Sequence, residues 1–173
     1  MQEMIAETPE VFYASGPVAT AGDDEIAFLK ERSAENTRRR CRLCLHSSPA
    51  AAQHEMIIVH HRDAYVRPHL HPDKSESLIV LEGEALAFTF DDAGVVTSTI
   101  HLAPPGAGER FSYFMPAGVW HGLAILSEWL VFVESAAGPF VRGATRFPAW
   151  APDGCDDVAA RAYTVQLAGV SVA

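Results

Sequence analysis

Nine short runs rich in Val, Ile, Phe and Tyr follow one another along this chain with turn residues between them and no helix separating any pair. They are Arg40 to His46, Glu55 to His60, Tyr65 to His71, Ser77 to Leu81, Ala85 to Phe90, Val95 to Leu102, Phe111 to Met115, Gly122 to Leu126 and Trp129 to Ser135. β-branched and aromatic runs of this length suit pleated, half-buried strands. A parallel sheet needs a crossover between strands, so the spacing predicts an all-β antiparallel sandwich or barrel. Asp91-Asp92-Ala93-Gly94 is the clearest hairpin loop, because a glycine accepts the positive φ at which the chain reverses.

The flanks differ in texture. The first twenty residues, with Pro9, Gly16 and Pro17, read as an irregular lead-in. From Asp23 to about Asn36 the pattern is helical, with Asp23 and Asp24 as cap or first-turn acids and Ile26 and Leu29 as an apolar stripe. After Ser135 come aromatics between prolines, Phe147-Pro148-Ala149-Trp150-Ala151-Pro152, which predict an extended segment pinned to the barrel by its rings. A short helix is expected from Asp156 to Tyr163, and Val165 to Ala173 reads as a strand or a disordered tail. The expected organisation is an N-terminal arm, helix and leading strand over residues 1–46, a barrel over 47–137, and a C-terminal extension packed on it over 138–173.

The length of 173 residues suits one domain with a real core, and 49% hydrophobic against 20% charged residues is a globular balance. A formal charge of −9 repels phosphate backbones and argues against nucleic acid as a partner. No apolar run approaches the roughly 20 residues needed to span a bilayer, and the first residues lack the basic end and apolar stretch of a secretory signal. No membrane partner and a cytoplasmic location are therefore expected. Three cysteines, an odd number, suit reduced thiols. Cys41 and Cys44 fall on opposite faces of a strand, so no redox or zinc role is expected of them.

The chemistry concentrates in two stretches. His69 and His71 lie two apart and share a strand face; a turn, Pro72 to Ser75, brings Glu76 back toward the same centre; and His121 arrives from a distant hairpin shaped by Pro116 and Gly118. Three imidazoles and a carboxylate suit one divalent transition metal among Fe, Mn, Ni, Zn, Co and Cu. Thiolates are missing from the pattern, which weakens the case for closed structural zinc. Four protein ligands on an ion that accepts six leave two positions for water, substrate or dioxygen.

The patterns His69-x-His71-x4-Glu76-x6-Gly83 and Pro116-x-Gly118-x2-His121 resemble the two motifs of the cupin superfamily. The resemblance covers residues from about 55 to 135. It implies a double-stranded β-helix, or jelly-roll barrel, holding a metal through His69, His71, Glu76 and His121. Asp63 and Arg110 stand where the motifs usually open with Gly, and Ile125 where the second often ends in Asn. A narrower likeness is to the WbuC-type cupin-fold metalloproteins of bacteria, carried by Tyr65 to Glu76, the Phe90 to Gly94 hairpin and the Phe147 to Pro152 tail. It makes His46, at the end of the leading basic strand, a candidate pocket residue.

Around the ligands, Arg67 and Tyr65 fall on the inward face two and four residues before His69. Arg67 either clamps a substrate carboxylate or phosphate or pairs with an internal acid, and Tyr65 orients substrate or fills the mouth. Lys74 covers the pocket or is a solvated loop lysine. Glu134, a charge in an apolar strand, is expected to fix a ligand histidine or answer Arg67. His60 and His61 point to opposite faces, with a satisfied core or surface role favoured. The basic run from Arg38 to Arg42 reads as a solvated edge, or as pairing with acids of another subunit, more readily than as an anion site.

Two functions follow. One is a metal-dependent enzyme, isomerase- or epimerase-like or dioxygenase-like, acting on a small polar metabolite such as a sugar derivative. The alternative is a non-catalytic module that uses the metal to hold a carbohydrate or carboxylate ligand. A homodimer is expected, because such barrels often cover strand edges and apolar faces by pairing.

Overall fold

The structure is a computed structural model that describes residues 2–170. These form β1 (Met4–Thr8), β2 (Val11–Ala14), α1 (Asp23–Glu35), β3 (Arg40–Cys44), β4 (Gln53–His61), β5 (Val66–His69), β6 (Glu76–Glu82), β7 (Ala85–Phe90), β8 (Val96–Leu102), β9 (Ser112–Met115), β10 (Trp120–Ile125), β11 (Trp129–Ala137) and α2 (Asp157–Val170). One sheet runs β1-β2-β3-β4-β11-β6-β9, and the other β5-β10-β7-β8. All pairings are antiparallel except β2 with β3.

Four of those pairings are nested: β4 with β11, β5 with β10, β6 with β9, and β7 with β8. The chain from β4 to β11 is therefore one long hairpin ribbon coiled on itself, the jelly roll expected from the sequence. Its tip is the Asp91 to Gly94 turn, where Asp91 Oδ1 accepts the N–H groups of Ala93 and Val95. A Cβ on Gly94, at φ +85°, would run into the ring of Trp150 at 2.6 Å, so the ribbon tip and the C-terminal tail fit each other only through a glycine.

Both faces of each sheet carry apolar residues. Met56, Ile58, Leu130 and Phe132 point into the barrel with Ala85, Ala87, Leu123 and Ile125. The alternate residues Ile57, Val59 and Val131 point outward and are covered by Leu29 of α1. On the other sheet, Leu86, Phe88 and Phe90 pack against Leu167 of α2 and Trp150. Cys41 and Cys44 split between the outer and inner clusters, as their odd offset requires. Helix α1 starts at Gly22, whose N–H is bonded by the Glu25 carboxylate at 2.9 Å, while Asp23 and Asp24 sit in the first turn rather than as the cap.

Two readings of the flanks are corrected. The lead-in is not irregular: Pro9 and Glu10 occupy the turn of the β1–β2 hairpin, and β2 extends the sheet by pairing in parallel with β3. Its alternation sends Phe12 to the outer core and Tyr13 to the inner one. The C-terminal helix runs on to Val170 instead of stopping at Tyr163, because Ala160, Tyr163 and Leu167 recur at helical spacing and the last two pack on the outer face of the smaller sheet. The reading of Val165 onward as strand or disordered tail is thus overturned as far as Val170, and residues 171–173 lie outside the described residues.

His60 is a buried residue of β4, edge-on to Phe132 at 5.4 Å, with Nδ1 lacking a hydrogen-bond partner. Burial, aided by the charge of Arg38, pushes its pKa down from 6.5 to about 4. The unfolded chain takes up this proton near 6.5 and the native one only near 4. Stability from this group is therefore complete above pH 6.5 and lost as pH falls toward 4, by up to about 3 kcal/mol. Urea unfolding at pH 7 and pH 5 should show a smaller acid loss in His60→Leu than in the wild type. An equal loss in both would contradict this account.

Candidate metal centre

His121 on β10 and His69 on β5 are direct cross-strand partners, so the two sequence motifs meet through sheet register. His71 lies just beyond the end of β5, past the bridge that Leu70 makes with Arg146, and its carbonyl accepts the Gly118 N–H at 2.8 Å. Glu76 opens β6 in the facing sheet. One donor atom from each of His69, His71, Glu76 and His121 lies within 4.8 Å of the others. An ion with bonds near 2.1 Å to N and O donors holds them roughly 3–4.2 Å apart, so a modest contraction seats one ion among all four.

The imidazoles are oriented from behind. His69 Nδ1 is 2.9 Å from the carbonyl of Arg67, His121 Nδ1 is 2.8 Å from that of Val119, and His71 Nδ1 is 3.3 Å from Thr145 Oγ1. A carbonyl only accepts, so Nδ1 of His69 and of His121 carries the proton and Nε2 is left as a lone-pair donor. His71 Nε2 and His121 Nε2 approach Glu76 at 3.3 and 3.2 Å. The His121 contact lies off the line of a hydrogen bond, which leaves a buried Nε2 without such a partner. Burial, and then the neighbouring His121, push His69 down to about pKa 3, so its ring is neutral. Burial alone would raise Glu76, but a proton shared with His121 and His71 holds its carboxyl well below the usual range and raises His121, and a bound cation would take that proton's place. Neutral imidazoles and an ionised carboxylate are the forms that bind a divalent cation, and the donor set fits one.

The site opens into a cavity of about 1040 Å³. Tyr65, Arg67, Lys74, Glu134 and His46 all line it. The Tyr65 hydroxyl donates to the Pro152 carbonyl at 3.0 Å, and burial raises its pKa to about 12. Arg67 donates from Nη2 to the Pro148 carbonyl at 3.1 Å and stacks on Phe147, 4.9 Å from its centroid. The tail thus rests on two polar side chains as well as on its aromatic rings. His46 stacks on His54 at 4.0 Å and accepts the Glu55 N–H at 3.2 Å.

Two readings of side-chain partners change. Among the described residues Glu134 neither bonds a ligand histidine nor pairs with Arg67. Its carboxylate faces the cavity, and burial, with the charge of Glu76, raises its pKa to about 7 against the opposing pull of Lys74, Arg42 and His121. The Arg38 to Arg42 run divides: Arg38 and Arg39 are exposed, as the solvated reading expects, but β3 lies between β2 and β4 and is no edge. Arg38 and Arg40 pair with Glu10 at 3.0 and 3.8 Å within this chain, and Arg42 lines the cavity. Sequence reasoning weighed Arg42 only within the basic run, where an anion site was the less favoured reading, although it shares strand parity with the inward Cys44. It passed over Tyr113, which lines the cavity from β9, and Thr145, which no local pattern marks.

A family model described as a domain of unknown function (DUF6016) matches residues 22–102, a span that contains His69, His71 and Glu76 but not His121. No curated protein matches the chain. Among solved structures, protein SO0799 from Shewanella oneidensis is 18% identical over 74% of this chain and 84% of that one, with a TM-score of 0.52. An uncharacterised Klebsiella pneumoniae protein with a double-stranded β-helix domain is 19% identical over 63% and 84%, with a TM-score of 0.47. Oxalate decarboxylase from Lactobacillus farciminis is 18% identical over 56% of this chain, with a TM-score of 0.44; the chain spans only 26% of its length. The nested ribbon already described is a double-stranded β-helix, and the likeness to SO0799 is a likeness of that fold.

Proposed function

We propose that this protein is a divalent-metal-dependent enzyme acting on a small polar metabolite such as a sugar derivative. The observation that carries the reading is the convergence of Glu76 with three histidines, two of which have Nδ1 committed to a backbone carbonyl, at the end of a cavity of ligand size. A transition-metal ion bound there supplies a Lewis acid that polarises a substrate oxygen. Glu134, facing the cavity without a protein partner among the described residues, is the group placed to hold or move a proton. Tyr65 has its hydroxyl proton committed to Pro152 and shapes the mouth, while Arg67 orients substrate. Lys74 flanks the ligand turn at the cavity edge. The WbuC-type likeness belongs to the same reading, supported by the meeting of its three sequence segments: the Tyr65 to Glu76 stretch and the Gly94 hairpin both touch the tail.

The test is turnover. Metal-replete protein, incubated with a panel of sugars, sugar acids and sugar phosphates, should convert at least one, followed by mass spectrometry and NMR. Glu134→Gln should lower the rate about 10²-fold or more while leaving metal content intact. Recovery of an unchanged bound molecule, with no product from any panel member, would favour the non-catalytic binding module.

A further inference from the structure

We infer that the cavity is built for a small anion, a metabolite whose carboxylate or phosphate is gripped by Arg42 and Arg67; the inference rests on the proposed reading of the cavity as the substrate site. The two arginines come from opposite sheets, Arg42 from β3 and Arg67 from β5, and line the same space. In each, Nε is buried and has no hydrogen-bond partner. Neither makes an ion pair among the described residues.

What sets the two apart from the other basic side chains is the combination of a buried, unpartnered Nε with no ion pair among the described residues. Arg32, whose Nε is also buried and unpartnered, pairs with Glu35 at 2.8 Å, and Arg38 and Arg40 share Glu10. Of the acids at the mouth, Glu10 is taken by Arg38 and Arg40, while Glu7, Asp63, Asp153 and Asp157 line the cavity without closing an ion pair to Arg42 or Arg67, although Asp153 feels the charge of Arg67. Inside, Glu76 belongs to the metal centre, which leaves Glu134 as the remaining carboxylate facing Arg42 and Lys74, without closing an ion pair. With a divalent ion in place, positive charge exceeds negative at the inner end.

The geometry also holds Arg67 ready. The Phe147 ring and the Pro148 carbonyl fix its plane while its Nε stays uncommitted. A planar guanidinium with free N–H donors matches a carboxylate or phosphate through paired, charge-assisted bonds, whereas a neutral sugar leaves that charge uncompensated. A cavity of about 1040 Å³, lined by both arginines and by the metal-site residues, has room for a hexose-sized acid.

The test is calorimetry on the metal-loaded full chain with D-galacturonate and D-glucose 6-phosphate, set against neutral D-galactose and D-glucose. At least one acid should bind about tenfold or more tightly than its neutral counterpart, and which one does so separates carboxylate from phosphate. Arg42→Gln and Arg67→Gln should each weaken that acid about tenfold or more, with metal content and circular dichroism unchanged. Neutral sugars binding as tightly as the acids, both variants retaining wild-type affinity for the acid, or no acid binding at about 10 mM would each overturn the inference. Arginine-dependent acid binding by a protein that takes up no metal would sustain it while removing the metal-centre reading. Metal uptake with no acid preference would do the reverse.

Discussion

His121→Ala protein, made without a histidine tag, should purify folded and lose nearly all the metal that the wild type carries. His121 contributes a buried Nε2 with no hydrogen-bond partner, and a carbonyl behind its Nδ1 fixes the tautomer. Removing one of four converging donors from a divalent site costs more than the 10- to 100-fold that loss of a supporting hydrogen bond costs, so retention should fall by about 100-fold or more. Glu76→Ala should behave alike, because the carboxylate is the one anionic donor in the set. Elemental analysis of the three proteins reads the outcome. Unchanged metal content in both variants would remove the site assignment. Folding should survive, since Phe132, Leu130, Val80 and Phe88 are buried in apolar clusters that fill the barrel and its outer face.

The convergence of His69, His71 and Glu76 was legible in the sequence because strand alternation and turn chemistry are local properties, and the three lie within eight residues of one another. His121 was legible because its own turn residues, Pro116 and Gly118, mark it. Strand spacing pointed to an antiparallel sandwich or barrel, the motif resemblance implied a jelly roll, and the nested pairings give it a single reason: one ribbon, coiled. What stayed hidden depends on contacts across long separations. The β1–β2 hairpin looked like coil because its turn residues were legible and its partner β3, about thirty residues onward, was not. Arg42 looked like surface charge beside its neighbours, and only the match of Arg38 and Arg40 with Glu10, the exposure of Arg39 and the burial of its own Nε set it apart. Thr145 behind His71 and Pro152 over Tyr65 come from the tail, whose path over the cavity no period in the sequence encodes.

The motif's glycine has a different role from its histidines, and substituting it should damage folding instead of chemistry. Gly83 joins β6 to β7 at φ +82°, where a Cβ would overlap the Trp129 carbonyl and the Ser127 hydroxyl that donates to it at 2.6 Å. Trp129 begins β11, the strand held between β4 and β6, so the collision cannot be relieved without disturbing sheet register. Positive φ in a residue with a side chain costs about 1–2 kcal/mol, and the overlap with backbone should bring Gly83→Ala to about 3 kcal/mol or more. For a domain of this size that is a fall of roughly 10 °C in Tm. Gly106→Ala supplies the control, with φ +93° and no atom within 4 Å of the added Cβ. Its Tm should drop by the backbone part alone, about a third as far. Equal drops for the two variants would mean that the contact with Trp129 is not what requires the glycine. A larger drop for Gly83→Ala, with metal still bound in the folded fraction, would separate the residue that shapes the barrel from the four that face the ion.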